Sequence, residues 1–151
     1  MEIKDTGARR NYATGAVRDI DLGKGRCDLM PLDVVGALVE SDILDNLETY
    51  KQSGNYQFLY SALNNFVSEA NYQSTVDMML DVAKHYEEGA LKYGENNWQK
   101  GIPIKSYIDS AARHYLKFKR GDDDEPHARA FVWNILCCIW TVIHKPDVDA
   151  L

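Results

Sequence analysis

Two histidines, His114 and His127, flank the acidic stretch Asp122, Asp123, Asp124 and Glu125 in the run DSAARHYLKFKRGDDDEPHARAFVWN, and a glutamate, Glu87, interrupts an apolar series upstream. Imidazoles and carboxylates gathered inside a protein need partners, because an unpaired buried charge is expensive, and a divalent cation suits both. Projected at about 100° per residue, Val76, Leu80, Ala83, Glu87 and Ala90 share one helical stripe. Tyr107, Ala111, His114 and Phe118 share a second, and His127, Phe131, Asn134 and Cys138 a third, with Asp124 one turn before His127. Three helices that each aim ionisable or polar groups at a bundle interior are a common way to build a metal site. Taken singly, each group has a plainer use. Glu87 could be paired with a cation, His114 and Asn134 satisfied by hydrogen bonds, and the acidic run spent on a helix amino terminus, where negative charge is favourable. It is their coincidence across three helices that favours chemistry. Glu88 points away from the first stripe, and Asp109 with Arg113 reads as an ordinary (i, i+4) ion pair.

A second set of residues suits phosphate. In TGAVRDIDLGKGRCDL, Lys24 and Arg26 surround Gly23 and Gly25, and a Gly-rich basic turn can present backbone N–H groups and cations to an anion. No GxxxxGK[ST] loop occurs. In KYGENNWQKG, Lys92, Lys100, Asn96, Asn97 and Trp98 supply cations, amides and a flat ring, a set able to grip a nucleotide's phosphates and base. The competing use has Trp98 packed beneath the loop and the lysines solvated.

These residues need elements to carry them. A chain of 151 residues, 45% hydrophobic, is enough for one domain with a true core. The net charge of −6 argues against a general binder of polymeric nucleic acid or of membrane surfaces, although residues 1–26 are locally basic, with six Lys/Arg against four Asp/Glu. Three cysteines, Cys27, Cys137 and Cys138, form no disulfide framework or CxxC site and fit reduced thiols in a cytoplasmic protein. The longest apolar run, Ala130 to Ile143, is too short to span a bilayer, and no targeting signal is visible. Residues 1–30, with four glycines and no sustained period, read as an irregular arm. Helices follow from Pro31, broken near Ser41 and stopped at Gly54; from about Asn55 to Ala70; from a Ser74 or Thr75 cap to Gly94; from Lys105 to Arg120; and from Pro126 to His144. The expectation is an all-α helical bundle with a Gly-rich basic amino-terminal arm, in one domain 1–151. Residues 75–145 would form the core helices and 37–74 a helical insertion.

The segments TGAVRD, GKGRCDL, HYEEGALKYGENNWQKGIP, YIDSAARHYLKFKRG and DEPHARAFVWN, in this order from Thr14 to Trp140, resemble the dATP/dGTP diphosphohydrolase N-terminal domain family. That family is frequent in phages and prophages and related to MazG-like all-α nucleotide pyrophosphohydrolases. The resemblance implies a MazG-like bundle, Mg2+ or Mn2+, and cleavage of a deoxynucleoside triphosphate to the monophosphate and pyrophosphate. Carried over by position, it marks Glu87, the basic turn Lys24 and Arg26, then Lys92, Tyr93, Asn97 and Trp98, then Arg113 and His114, and finally Asp124, His127 and Asn134. On this reading Glu87 and Asp124, with His127 or His114, hold the metal. Lys24, Arg26 and Lys92 bind phosphate oxygens, Asn97 and Trp98 contact base or sugar, and Glu88 or His114 serves as general base.

Classical MazG-like chains carry ExxE on one helix and ExxD on the next. Here Glu87 and Glu88 are adjacent, and the later helix offers Asp124 and His127. The departure keeps open a nucleotide-binding or sequestering protein without turnover, and a purely structural helical module. An HD-type phosphohydrolase is disfavoured, since no His-Asp dipeptide occurs. By analogy the chain is expected to form a homo-oligomer in the cytoplasm, with a nucleotide as ligand.

Overall fold

The computed structural model describes residues 7–150, so the first six residues of the expected arm lie outside it. Its elements begin and end at residues with a local reason to do so. Helix α1 (Leu32–Leu38) starts behind Pro31, and α2 (Asp42–Ser53) starts at Ser41, whose hydroxyl accepts the Leu44 amide at 3.2 Å. Gly54, at φ +71°, ends α2 in the left-handed conformation. After α3 (Gln57–Glu69), Ser74 caps α4 (Thr75–Tyr93) by accepting the Asp77 amide at 3.1 Å. Helix α5 (Ile104–Arg120) stops at left-handed Gly121, and α6 (His127–His144) begins after Pro126. The fold is the expected all-α bundle. No helix among the described residues is long and apolar enough to cross a membrane.

Helices α5 and α6 pack along their lengths, with α4 against α6 and α1–α3 closing the other side. Leu44, Leu47, Leu59, Ala62 and Phe66 are buried with Tyr107, Tyr115, Phe131 and Ile135 in one core. Phe66 stacks within 4.6 Å of Phe131 and 5.2 Å of Phe118, centroid to centroid, so the segment expected to be an insertion is built into that core. Cys27, Cys137 and Cys138 are free, the last two buried, and burial pushes both thiols far above their ordinary pKa.

Two local expectations need correction. The arm is not irregular throughout. Arg9–Asn11 (β1) and Val17–Asp19 (β2) pair antiparallel, with Arg10 opposite Arg18. Strands this short, rich in charged residues, show no β-branched alternation, so the sequence pattern passes over them. The hairpin is fastened to the bundle from α5 and from the loop after α4. Asn97 is buried and grips Val17 twice, accepting its N–H at 2.9 Å and donating to its carbonyl at 2.8 Å. The Thr14 hydroxyl donates to the Gly101 carbonyl, and a Cβ on Gly101 would meet Thr14 Cγ2 at 3.0 Å, so glycine permits this approach. Asp109 accepts the Cys27 amide at 2.6 Å, and Arg113 donates to the Gly25 carbonyl at 2.6 Å.

The second correction concerns the inward face of α4. Met78, Val82 and His85 are buried, whereas Val76 is 67% exposed, Leu80 66% and Leu91 84%, and Ala83 and Glu87 are exposed with them. The stripe containing Glu87 therefore faces away from the core. Both stripes have helical spacing. The one carrying Met78 and Val82 and placing His85 within 5.7 Å of Trp133, ring to ring, fills the groove beside α6.

Candidate functional site

Where the arm crosses α4, α5 and α6 it roofs a cleft of about 880 Å³, mouth included. Five cations line it, Arg10, Arg18, Lys24, Arg113 and Lys117, against three carboxylates, Asp19, Asp21 and Glu125. In a chain of net charge −6 this is a local positive field. The five are not equivalent. Arg10 is held by Asp21 at 2.8 Å, and Arg113 by Asp109 at 2.5 Å. Lys24 and Lys117 carry no ion pair among the described residues. Arg18 is the unusual one. Its guanidinium donates to Asn134 Oδ1 at 2.9 Å and to the Ser106 hydroxyl at 3.1 Å, and lies 5.4 Å from the Tyr107 ring centroid and 5.7 Å from that of Trp133. It has no carboxylate partner among the described residues. Burial lowers its pKa, yet it remains a cation with π-faces and neutral acceptors for company. A desolvated guanidinium so placed is complementary to an incoming anion.

Beside these cations lies the histidine pair. His114 on α5 and His127 at the start of α6 bring their Nδ1 atoms to 2.9 Å, and His127 Nε2 lies 2.7 Å from Asp124 Oδ1. Since a carboxylate only accepts, His127 donates to Asp124 from Nε2. Burial, and then the neighbouring His127, push the His114 pKa well below its ordinary value, so this ring is neutral at pH 7. Donor atoms of His114, Glu125 and His127 lie within 4.8 Å of one another, as do those of Asp122, Asp124 and His127. The first trio borders the cationic cleft through His114 and Glu125. The second opens on another face, and its Asp122 is tied to Arg120 at 2.5 Å. The first trio also fits a metal chemically. It offers nitrogen and oxygen donors, and an Asp–His–donor chain of the kind that orients metal-ligating histidines. Two imidazoles suit Mn2+ and other transition ions better than Mg2+, which prefers oxygen throughout.

The structure brings together only part of the site drawn from sequence. His114, His127 and Asp124 converge, and Asn134, Arg113, Lys24 and Tyr93 line or support the same cleft. Glu87 does not reach it, and Glu88 pairs with Arg129 at 3.2 Å. Arg26 forms a bidentate pair with Asp28, both bonds 2.7 Å, outside the cleft lining. Lys92, half-buried on α4, is not among the lining residues. Asn97 is buried, with both its amide oxygen and its amide nitrogen turned to the Val17 backbone. Trp98 stacks edge-on against Trp140 at 5.0 Å and Tyr86 at 5.7 Å, its face largely committed to packing. Sequence reasoning missed Arg10, Arg18, His85, Lys117 and Glu125. His85 had a signal, since it shares the stripe of Met78 and Val82. The arginines had none, because the hairpin delivers them across the fold.

Neither the curated proteins nor the solved structures gave a match to this chain. A family model did, over residues 63–151, from the middle of α3 through the helices that carry the histidine pair. With more than half of its length matched, and the histidine pair inside the match, the chain belongs to the dATP/dGTP diphosphohydrolase, N-terminal family.

Proposed function

We propose that the cleft binds the triphosphate of a deoxynucleoside triphosphate, with dATP and dGTP the first candidates, and that a divalent ion beside it serves hydrolysis to the monophosphate and pyrophosphate. Arg18 carries this reading: a half-buried guanidinium without a carboxylate partner among the described residues, in a cleft with two uncommitted lysines. The family name supports the reaction class. Arg18, Lys24 and Lys117 bind phosphate oxygens, while Arg10 and Arg113, already paired, hold the arm that forms the roof. His114, Glu125 and His127 would hold the ion, and Asp124 fixes the ring of His127. When bound, such an ion neutralises phosphate charge and lowers the pKa of a coordinated water.

The test incubates dATP, dGTP, dCTP, dTTP and their ribose counterparts with the protein and Mn2+ or Mg2+, and separates products by ion exchange, beside Arg18→Met and His127→Asn. Monophosphate and pyrophosphate from the wild type, lost in both variants, support the reading. Binding without products makes the cleft a nucleotide-sequestering site, and neither binding nor products overturns the proposal.

A further inference from the structure

Gly89 lies inside α4, a helix of 19 residues, where glycine is less favourable than alanine by about 0.5–1 kcal/mol. Nothing in the fold requires it. Its φ is not in the left-handed region, and a Cβ built on it meets no atom within 4 Å. Yet Gly89 borders two cavities at once, the cationic cleft and a smaller crevice of about 280 Å³ walled by Tyr86, Trp98 and Trp133. Tyr93 and Trp133 line both as well, so the two spaces meet over this stretch of helix backbone. One turn earlier on the same helix, His85 lines the cleft, is 7% exposed, and its Nδ1 has no hydrogen-bond partner among the described residues. A buried polar atom without a partner costs about 1–3 kcal/mol and needs a reason. An unfilled place at a helical glycine and an unsatisfied imidazole nitrogen beside it have one common explanation, a flat polar guest lying on the helix.

We infer that Gly89 is the floor of a nucleoside subsite. The base or sugar of the nucleotide packs on the α4 backbone at Gly89 between Tyr93 and Trp133, His85 Nδ1 hydrogen-bonds it, and the phosphates extend to Arg18. This inference rests on the proposed function and adds the part of the ligand that the cations do not read. A methyl or larger group at position 89 fills the space the ring needs while leaving the protein's own contacts alone.

The experiment measures binding of two probes by titration calorimetry, the non-hydrolysable α,β-imido analogue of dATP or dGTP and inorganic tripolyphosphate, with thermal melts of each variant. Gly89→Leu is expected to lose about tenfold or more in affinity for the nucleotide analogue while tripolyphosphate binds as in wild type. Gly89→Ala is expected to melt no lower than wild type and to lose part of the same affinity. Wild-type affinity for the analogue in both variants overturns the inference, as does an equal loss of both probes in Gly89→Ala. Should Gly89→Leu melt far below wild type, Gly89→Ala decides by the same criterion. If the wild type binds neither probe, it is the triphosphate reading that fails.

Discussion

Arg18, half-buried without a carboxylate among the described residues, and His85, buried with an unpartnered Nδ1, respond differently to removal and to pH. Replacing Arg18 by methionine takes away a desolvated charge and leaves an apolar chain between Tyr107 and Trp133. The expected outcome is lost nucleotide binding together with a melting temperature equal to or above that of wild type, read by calorimetry and thermal denaturation. His85 is kept neutral by burial first, then by the positive charges of Arg129, Arg18 and Lys92, with Asp81 opposing weakly, so its pKa falls to about 3. In the unfolded chain it takes up a proton near 6.5. Between those values the unfolded state binds more protons, and stability declines as pH falls. Urea denaturation at pH 6.5 and 5 should show a loss approaching about 1.4 kcal/mol per unit from this one ring. A His85→Phe variant should lose visibly less over the same interval, and an unchanged slope would place the neutral imidazole elsewhere. The metal reading is checked separately. Mn2+ affinity by electron paramagnetic resonance titration should fall strongly in His114→Ala and by about tenfold to a hundredfold in Asp124→Asn, which touches the ring and not the ion.

At the scale of elements, α4 decides how the bundle is read. Met78→Ala is expected to cost about 2–5 kcal/mol in denaturant unfolding and Leu80→Ala no more than about 0.5 kcal/mol, because only the first side chain is enclosed. The reverse result would restore the stripe that carries Glu87. Helix limits were legible because capping and stop residues, Ser41, Gly54, Ser74, Gly94, Gly121 and Pro126, act locally and can be read locally. The convergence of His114, His127 and Asp124 was legible for a related reason, since helical periodicity turns His114 and His127 inward on α5 and α6, and Asp124 stands three residues before His127. The inward face of α4 was not. Val76, Leu80 and Ala83 offer the same period as Met78, Val82 and His85, and only the groove beside α6 chooses between them. The hairpin left no periodic trace, and so the sequence could not nominate Arg18, the cation on which the proposed function most depends.

The whole molecule depends on the fastening of the arm. Asn97 touches no ligand in the proposed function, yet it fixes Val17, the neighbour of Arg18. Asn97→Ala should leave the helical circular-dichroism signal in place, cost about 1–3 kcal/mol in stability and weaken nucleotide binding. Tight binding in that variant would show that the hairpin is held well enough by its other contacts, Thr14 to Gly101 and Arg18 to Ser106 and Asn134. These fastenings join residues far apart in sequence, 80 positions for Asn97 to Val17, 88 for Arg113 to Gly25 and 116 for Arg18 to Asn134. The α4–α6 helices can pack through short connections, whereas the roof closes only after the longest loops in the chain have been brought together. During refolding, helical signal should therefore recover first and capture of a nucleotide analogue last. There is then a period in which the protein is folded by every spectroscopic measure and still unable to bind.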